Sequence, residues 1–145
     1  MDVLQEYDNK LKPLREIVGA AMEVYNEWGA GLLESAYEAG MFHLLSKTHK
    51  VERQKYLPIY WKGEKLQDNY RLDLLVDDVI VELKSCKFAS AEHKKQLQNY
   101  MKLTHSTYGL LINFSDSIVY SEAYKLYNDG KVEKISLKYI WFSAY

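Results

Sequence analysis

Two carboxylates in the middle of the chain have a spacing that brings acidic groups together on a β-sheet. Residues 70–76 and 79–83 are rich in strand-forming apolar side chains and flank two consecutive acidic residues, which predicts a β-hairpin. A two-residue turn at positions 77–78 then places Asp73 directly opposite Glu82 on the neighbouring strand. The Cβ atoms of such a pair lie about 4.5–5.5 Å apart. The two carboxylates are therefore expected to share one site.

Carboxylates that lie so close repel each other unless a cation offsets their charge. Their hard oxygen atoms suit Mg²⁺ or Mn²⁺. Lys84 follows Glu82 by two residues and shares its strand face, and the same register places Lys84 opposite Arg71. A lysine in that position can orient or deprotonate a water, or stabilise charge on a phosphate, so the set predicts phosphodiester hydrolysis. The alternative is a structural ion pair of Asp73 with Arg71 or Lys84 on a solvent-facing strand.

Further polar residues are expected on two helices beside this hairpin. His93, Gln96 and Tyr100 share one face of a polar helix, where an amide and a phenol could hold a phosphate or a nucleotide. Glu34 begins another helix and is either a further carboxylate directed at the metal or a first-turn acid favoured by the helix dipole. For Tyr100 the alternative is a place in the core.

The elements that position these residues follow from the periodicity of the sequence. The predicted order is two helices (11–28 and 33–45) joined by a glycine corner, strands (51–61, 70–76 and 79–83), a helix (89–103), a strand (108–114) and a tail of strands (118–145). We expect Tyr25, Trp28 and Tyr37 to pack in the core. The order predicts an α/β fold in which helices cover a mixed central sheet.

Composition is typical of an ordinary globular domain. The chain has 145 residues, a formal net charge of −1 and one cysteine, Cys86, which excludes an internal disulfide and a cysteine-based zinc site. Neither a signal peptide nor an apolar stretch of membrane-spanning length is legible, so we expect no membrane association and a cytoplasmic location. The net charge argues against a basic coat protein of nucleic acid but not against a nucleic-acid enzyme.

Four ordered motifs resemble the GxxExxY protein family, which is placed in the PD-(D/E)XK nuclease superfamily. They are Gly31-Leu32-Leu33-Glu34-Ser35-Ala36-Tyr37, the pair Tyr70-Arg71-Leu72-Asp73-Leu74-Leu75-Val76 and Val81-Glu82-Leu83-Lys84, Gln96-Leu97-Gln98-Asn99-Tyr100, and Gly109-Leu110-Leu111-Ile112-Asn113-Phe114. The resemblance covers residues 17–114, and it departs from the superfamily pattern where Leu72, rather than proline, precedes the aspartate.

The resemblance implies a restriction-endonuclease-like αβββαβ core within a single domain, 1–145, with the core at about 11–114 and a strand extension at about 115–145. It also implies roles for individual residues. Asp73, Glu82 and the backbone carbonyl of Leu83 would bind the metal, Lys84 would be the catalytic lysine, Glu34 a supporting acid that also reaches the metal, and Gln96 with Tyr100 the helix motif.

The resulting expectation is a Mg²⁺- or Mn²⁺-dependent nuclease, with DNA as the favoured substrate and an exonuclease-like mode. Lysines such as Lys87, Lys94 and Lys95 could contact phosphates, although such charges are more often a solvated face. The alternative is a non-catalytic module on the same fold that binds nucleic acid or protein, or that forms a homodimer. That alternative predicts no metal dependence.

Overall fold

The computed structural model describes residues 3–136. It contains three helices and six strands in these residues: α1 (Val3–Trp28), α2 (Glu34–Leu45), β1 (Val51–Trp61), β2 (Glu64–Val76), β3 (Val79–Lys84), α3 (Ala91–Thr104), β4 (Tyr108–Phe114), β5 (Val119–Leu126) and β6 (Val132–Ile135). The strands form one sheet in the order β1-β2-β3-β4-β5-β6. Neighbouring strands are antiparallel except β3 and β4, which are parallel and joined by α3. This confirms the predicted α/β class and the mixed sheet flanked by helices.

Two apolar layers sandwich the sheet. One layer packs α1 and α2 onto the sheet through side chains such as Leu14, Tyr37 and Leu74, and the other packs α3 through Leu97 and Met101. β4 is buried along almost its whole length because helices cover both of its faces, as its continuous apolar run predicts.

Strand β2 is longer than predicted, because it begins at Glu64 rather than at residue 70. Lys62 and Gly63 both have positive φ, 46° and 82°, which suits the tight turns that join hairpin strands. Pairing therefore resumes at once with Trp61 opposite Glu64. Residues 64–69 are exposed and lack apolar alternation, so the periodicity did not predict them as a strand.

Two further expectations need correction or completion. Trp28 is 48 % exposed rather than in the core, since α1 ends at this residue. Tyr37 is fully buried and Tyr25 partly buried. The predicted tail of strands corresponds to β5 and β6, and its part at 137–145 lies outside the described residues.

A histidine bridges α1 to the turn of the β2–β3 hairpin. His49 Nε2 lies 2.5 Å from Glu16 Oε2, and His49 Nδ1 lies 2.7 Å from Asp77 Oδ2. Burial alone would lower the pKa of His49, but hydrogen bonds to Asp77 and Glu16 and the charges of both carboxylates raise it above 6.5. The imidazolium therefore holds the two acids together.

We expect this bridge to make stability depend on pH near neutrality. A histidine whose pKa is raised by folding contributes stability that is complete below its unfolded pKa of 6.5 and is lost as pH rises through its folded pKa. The Tm should therefore fall between pH 6.5 and the folded pKa of His49 more steeply than in a His49→Gln chain. Thermal unfolding of both chains at several pH values measures this, and parallel Tm profiles would contradict the bridge.

Candidate active site

The candidate site lies where β2 and β3 separate. Their ladder runs from Val76↔Val79 to Leu74↔Val81, in the predicted register and around the predicted turn. Beyond this pair the Asp73 side chain bridges the strands, because Oδ2 accepts a hydrogen bond of 2.8 Å from the backbone N–H of Leu83. The ladder stops at Leu74↔Val81, so neither of the pairs predicted beyond it, Asp73 with Glu82 or Arg71 with Lys84, forms as a ladder pair.

The separation has a local cause in the backbone. Leu74 and Val76 pack in the layer under α1 and α2, whereas Tyr70 and Leu72 belong to the layer under α3. The alternation of β2 therefore reverses at Asp73. Gln54, at the corresponding position of β1, has a φ of 48°, and its amide lies 3.4 Å from Asp73 Oδ1. A reversed alternation of this kind re-aims a side chain, much as β-bulges do next to active sites.

Glu82 is half-buried beside Asp73. Tyr70 donates a hydrogen bond of 2.6 Å from its phenol to Glu82 Oε1. Burial and then the charge of Asp73 raise the pKa of Glu82 to about 7, against the lowering effects of Tyr70 and Lys84. Burial also raises the pKa of Tyr70, which therefore remains a protonated donor. The two predicted metal ligands are thus close enough for the charge of Asp73 to oppose the ionisation of Glu82.

Lys84 ends β3 and is half-buried on the side of Glu82, whose pKa its charge lowers. Across the parallel pair its neighbour on β4 is Asn113. Leu83 lies between the two site residues with its side chain buried in the core, so only its backbone faces Asp73. The assignment of the Leu83 carbonyl as a metal ligand stays a prediction.

The α3 motif reaches the site through a tyrosine stack. The rings of Tyr100 and Tyr70 lie 3.8 Å apart at an angle of 10°, so Tyr100 supports the donor that holds Glu82. Gln96 is exposed and, with Tyr100, lines an open groove along α3. His93 caps its own helix, because Ser90 Oγ accepts from His93 N and the Ser90 N–H points to His93 Nδ1. The sequence alone does not predict the stack of Tyr70 on Tyr100, because the two residues lie on elements that are distant along the chain, β2 and α3.

Glu34 approaches the end of β3 rather than the two carboxylates. Its Oε1 lies 3.3 Å from the backbone N–H of Ser85, which follows Lys84, and Ser85 Oγ donates to the Leu32 carbonyl at 2.8 Å. Within residues 3–136 no three acidic, histidine or cysteine side chains are grouped to hold a metal ion. The structure thus brings Asp73 and Glu82 together, whereas Glu34 lies beside Ser85, the residue after Lys84. Its metal-binding role stays a prediction.

A buried acid on α2 escaped the sequence reasoning. Glu38 is 4 % exposed and accepts hydrogen bonds from Arg53 Nε at 3.0 Å and Gln54 Nε2 at 2.5 Å. The same Gln54 amide approaches Asp73, so Glu38 anchors the residue that flanks the candidate site. The available signal was its spacing: Glu38 follows Glu34 by one helical turn and shares its face.

Comparison with known protein families identifies the superfamily of the chain. The family model of the PD-(D/E)XK nuclease superfamily matches residues 12–125, most of the chain. The chain belongs to the PD-(D/E)XK nuclease superfamily. Members of this superfamily usually act on nucleic acids as nucleases and generally use divalent metal ions such as Mg²⁺.

Comparisons with individual proteins add little. No curated protein matches the chain. Among solved structures, the chain is similar to the crystal structure of SSO0001, with 17 % identity and a TM-score of 0.49. The match covers 76 % of this chain and 55 % of that one, so the chain spans about half the length of SSO0001. In the part of the chain that the structure describes, no helix has the combined length and apolar character of a membrane span.

The residues of this PD-(D/E)XK domain fit a divalent ion. Asp73 and Glu82 supply hard oxygen donors, and a bound cation would relieve the repulsion by which Asp73 opposes the ionisation of Glu82. Two carboxylates with waters and phosphate oxygens are a usual environment for Mg²⁺, so a third acidic side chain is not required.

Proposed function

We propose that the chain is a divalent-metal-dependent nuclease that hydrolyses phosphodiester bonds, with DNA as its favoured substrate and Mg²⁺ or Mn²⁺ as its metal. One observation supports this most: Asp73 and Glu82 meet where β2 parts from β3, and burial together with the charge of Asp73 raises the pKa of Glu82 to about 7 beside Lys84. A purely structural pair of acids would gain nothing from this arrangement.

Each residue then has a distinct task. Asp73, Glu82 and the Leu83 carbonyl would hold the ion, which when bound supplies an activated water and a Lewis acid for the phosphoryl oxygen. Lys84 orients the attacking water or offsets charge on the phosphate. Gln96 presents a free amide from the open groove along α3, where it can hold a phosphate of the strand. We assign Glu34 to the support of this site through Ser85, and place the chain in the GxxExxY branch on its four motifs.

A cleavage assay tests this function. End-labelled single-stranded and duplex DNA and RNA are incubated with Mg²⁺, Mn²⁺ or EDTA, using the wild type, Lys84→Ala and, as a matched control, the exposed Lys47→Ala. We expect metal-dependent cleavage that Lys84→Ala removes and Lys47→Ala retains. Products that shorten from one end indicate an exonuclease, and internal cuts an endonuclease. Equal trace cleavage by all three chains contradicts the proposal and favours a non-catalytic module.

Tyr70 should act as a positioning residue for the metal ligand Glu82. Tyr70→Phe keeps the stack on Tyr100 but removes the phenol that donates to Glu82 Oε1. Because partners that hydrogen-bond a metal ligand are typically worth about 10–100-fold in metal affinity, we expect the Kd for Mn²⁺ to rise by roughly that factor. Calorimetric titration measures it, with the exposed Tyr56→Phe as control. Equal Kd values for the two variants would remove Tyr70 from this role.

A further inference from the structure

A cavity of about 420 Å³ lies beyond Lys84, at the end of the sheet where β3 and β4 both terminate. The segment after β3 lines it with Lys87, Phe88 and Ala89, and the segment after β4 lines it with residues 115–118. Asn113, the neighbour of Lys84 across the parallel pair, forms part of its lining. Its position agrees with the tendency of α/β sheets to bind ligands at the carboxyl ends of parallel strands.

The walls of this cavity combine apolar surface with positive charge. Phe88 is 77 % exposed and Ile118 is 57 % exposed, so both offer apolar area that the fold does not use. Lys87 Nζ lies 5.8 Å from the centre of the Phe88 ring. Lys94 Nζ lies 5.5 Å from the centre of the Tyr120 ring.

Two lysines thus accompany the aromatic rings, against one acid, Asp116. Aromatic faces beside cations are the usual surface on which proteins bind single-stranded nucleic acid. The cavity volume falls within the range of roughly 300–1,000 Å³ found for ligand pockets.

Hydrogen bonds hold the segments after β3 and after β4 in place before any ligand binds. The Asn113 amide accepts from Cys86 N at 3.1 Å and donates to Cys86 O at 2.9 Å, and the Cys86 thiol donates to the Phe88 carbonyl at 3.2 Å. In the facing loop, Ser115 Oγ donates to the Ile118 carbonyl at 2.7 Å. A braced wall loses little conformational freedom when a ligand enters.

Glu122 positions Lys94 and Tyr120, two further residues that line the cavity. This buried acid accepts from Tyr120 at 2.5 Å and from Tyr124, and it lies 3.3 Å from Lys94 Nζ. Burial opposes its ionisation, but the donated hydrogen bonds of Tyr120, Tyr124 and Lys134 lower its pKa to about 2. The carboxylate therefore stays charged at neutral pH and holds Lys94 and Tyr120 at the cavity.

We propose that this cavity binds an unpaired nucleobase of the substrate strand, stacked against Phe88 and Ile118, next to the scissile phosphate at Lys84. The proposal rests on the proposed nuclease function and narrows its substrate to strands with a free base at that position, such as single strands or frayed ends. Lys87 contacts the phosphate that accompanies the base, and Lys94 remains in the wall.

Binding of an oligonucleotide separates this pocket from catalysis. The Lys84→Ala chain serves as a non-cleaving background, and the probe is a labelled duplex with a short single-stranded overhang at constant salt and Mg²⁺ concentrations. Phe88→Ala should weaken binding by roughly 5- to 150-fold, the range for the loss of one base-stacking aromatic. Phe88→Tyr should restore affinity.

The matched control is Tyr127→Ala. Tyr127 is an exposed aromatic with Lys125 Nζ 4.9 Å from its ring centre, but it lies at the opposite end of β5 from Tyr120. Its removal should leave affinity unchanged. Probes with an abasic site at successive overhang positions complete the test. With the chain that keeps Phe88, an abasic site at one overhang position should weaken binding by the same factor as Phe88→Ala does. With the Phe88→Ala chain, an abasic site at that position should cause no further loss of affinity.

The outcomes of the two assays are distinguishable. Equal affinity of the Phe88 and Phe88→Ala chains, or abasic losses of the same size in both chains at every position, would overturn the pocket even if the wild type cleaves DNA. Coupling between Phe88 and one base, together with no metal-dependent cleavage by the wild type, would support the pocket and overturn the proposed hydrolysis.

Discussion

Asp73→Asn should reduce metal-dependent cleavage by roughly 100-fold or more, a range consistent with the removal of one electrostatic contribution to a hydrolytic site. Asparagine keeps an oxygen that can accept the hydrogen bond from Leu83 N, so the bridge between β2 and β3 survives. It loses the negative charge that a divalent ion requires. The rate of cleavage at saturating Mg²⁺, measured on an end-labelled strand, gives the effect.

The same substitution should leave the free energy of unfolding unchanged or slightly higher. Asp73 raises the pKa of Glu82, so the two charges oppose each other in the absence of metal. Loss of activity with retained stability is the signature of a site that stores electrostatic strain for function. Asp78→Asn, in the exposed turn of the same hairpin, is the control and should keep full activity. A folded Asp73→Asn chain that cleaves as fast as the wild type would contradict the assignment of Asp73.

Tyr37→Ala should have the largest effect on folding, about 3–5 kcal/mol, the usual cost of truncating a buried aromatic side chain. Tyr37 is fully buried, and its ring stacks on Phe114 with centres 4.0 Å apart. Its hydroxyl donates to the Gly29 carbonyl at 2.6 Å and accepts from Leu32 N at 3.3 Å. One side chain therefore joins α2 to β4 and to the glycine corner.

Tyr37→Phe separates the two contributions. It keeps the stack and removes only the hydroxyl contacts, so we expect a loss of about 1–2 kcal/mol from two part-buried hydrogen bonds. Urea denaturation gives both values through the shift of the midpoint at constant slope. Tyr127→Phe, at an exposed tyrosine, should change the midpoint negligibly. If Tyr37→Phe were as damaging as Tyr37→Ala, the ring stack would not be the main source of stability.

The sequence predicts correctly those features that depend on residues close together along the chain. A two-residue turn determines register, so the opposition of the segments around Asp73 and Glu82 follows from the turn and from strand alternation. The buried run of β4 and the glycine corner between α1 and α2 also follow from composition alone. At the corner, Gly29 and Gly31 have φ of 76° and 91°, which other residues rarely adopt.

The features that escaped prediction depend on contacts between distant segments. Tyr70 donates to Glu82 and stacks on Tyr100, and Glu38 is buried only because Arg53 and Gln54 pair with it. The reversal of β2 at Asp73 interrupts the alternation on which strand reasoning relies. The predicted ladder pairs of Asp73 with Glu82 and of Arg71 with Lys84 are wrong because they assume that the regular ladder continues past Leu74.

That reversal ties the chemistry of the chain to its ability to fold. On one side of Asp73, β2 inserts Leu72 into the layer under α3, and on the other side it inserts Leu74 into the layer under α1 and α2. A one-residue insertion or deletion in either half would turn its apolar side chains toward the wrong face. Deletion scanning of residues 70–76 should show this as loss of soluble protein. Selection for folding alone would thus preserve the position of residue 73 between the two layers, even in descendants that no longer carry a carboxylate there.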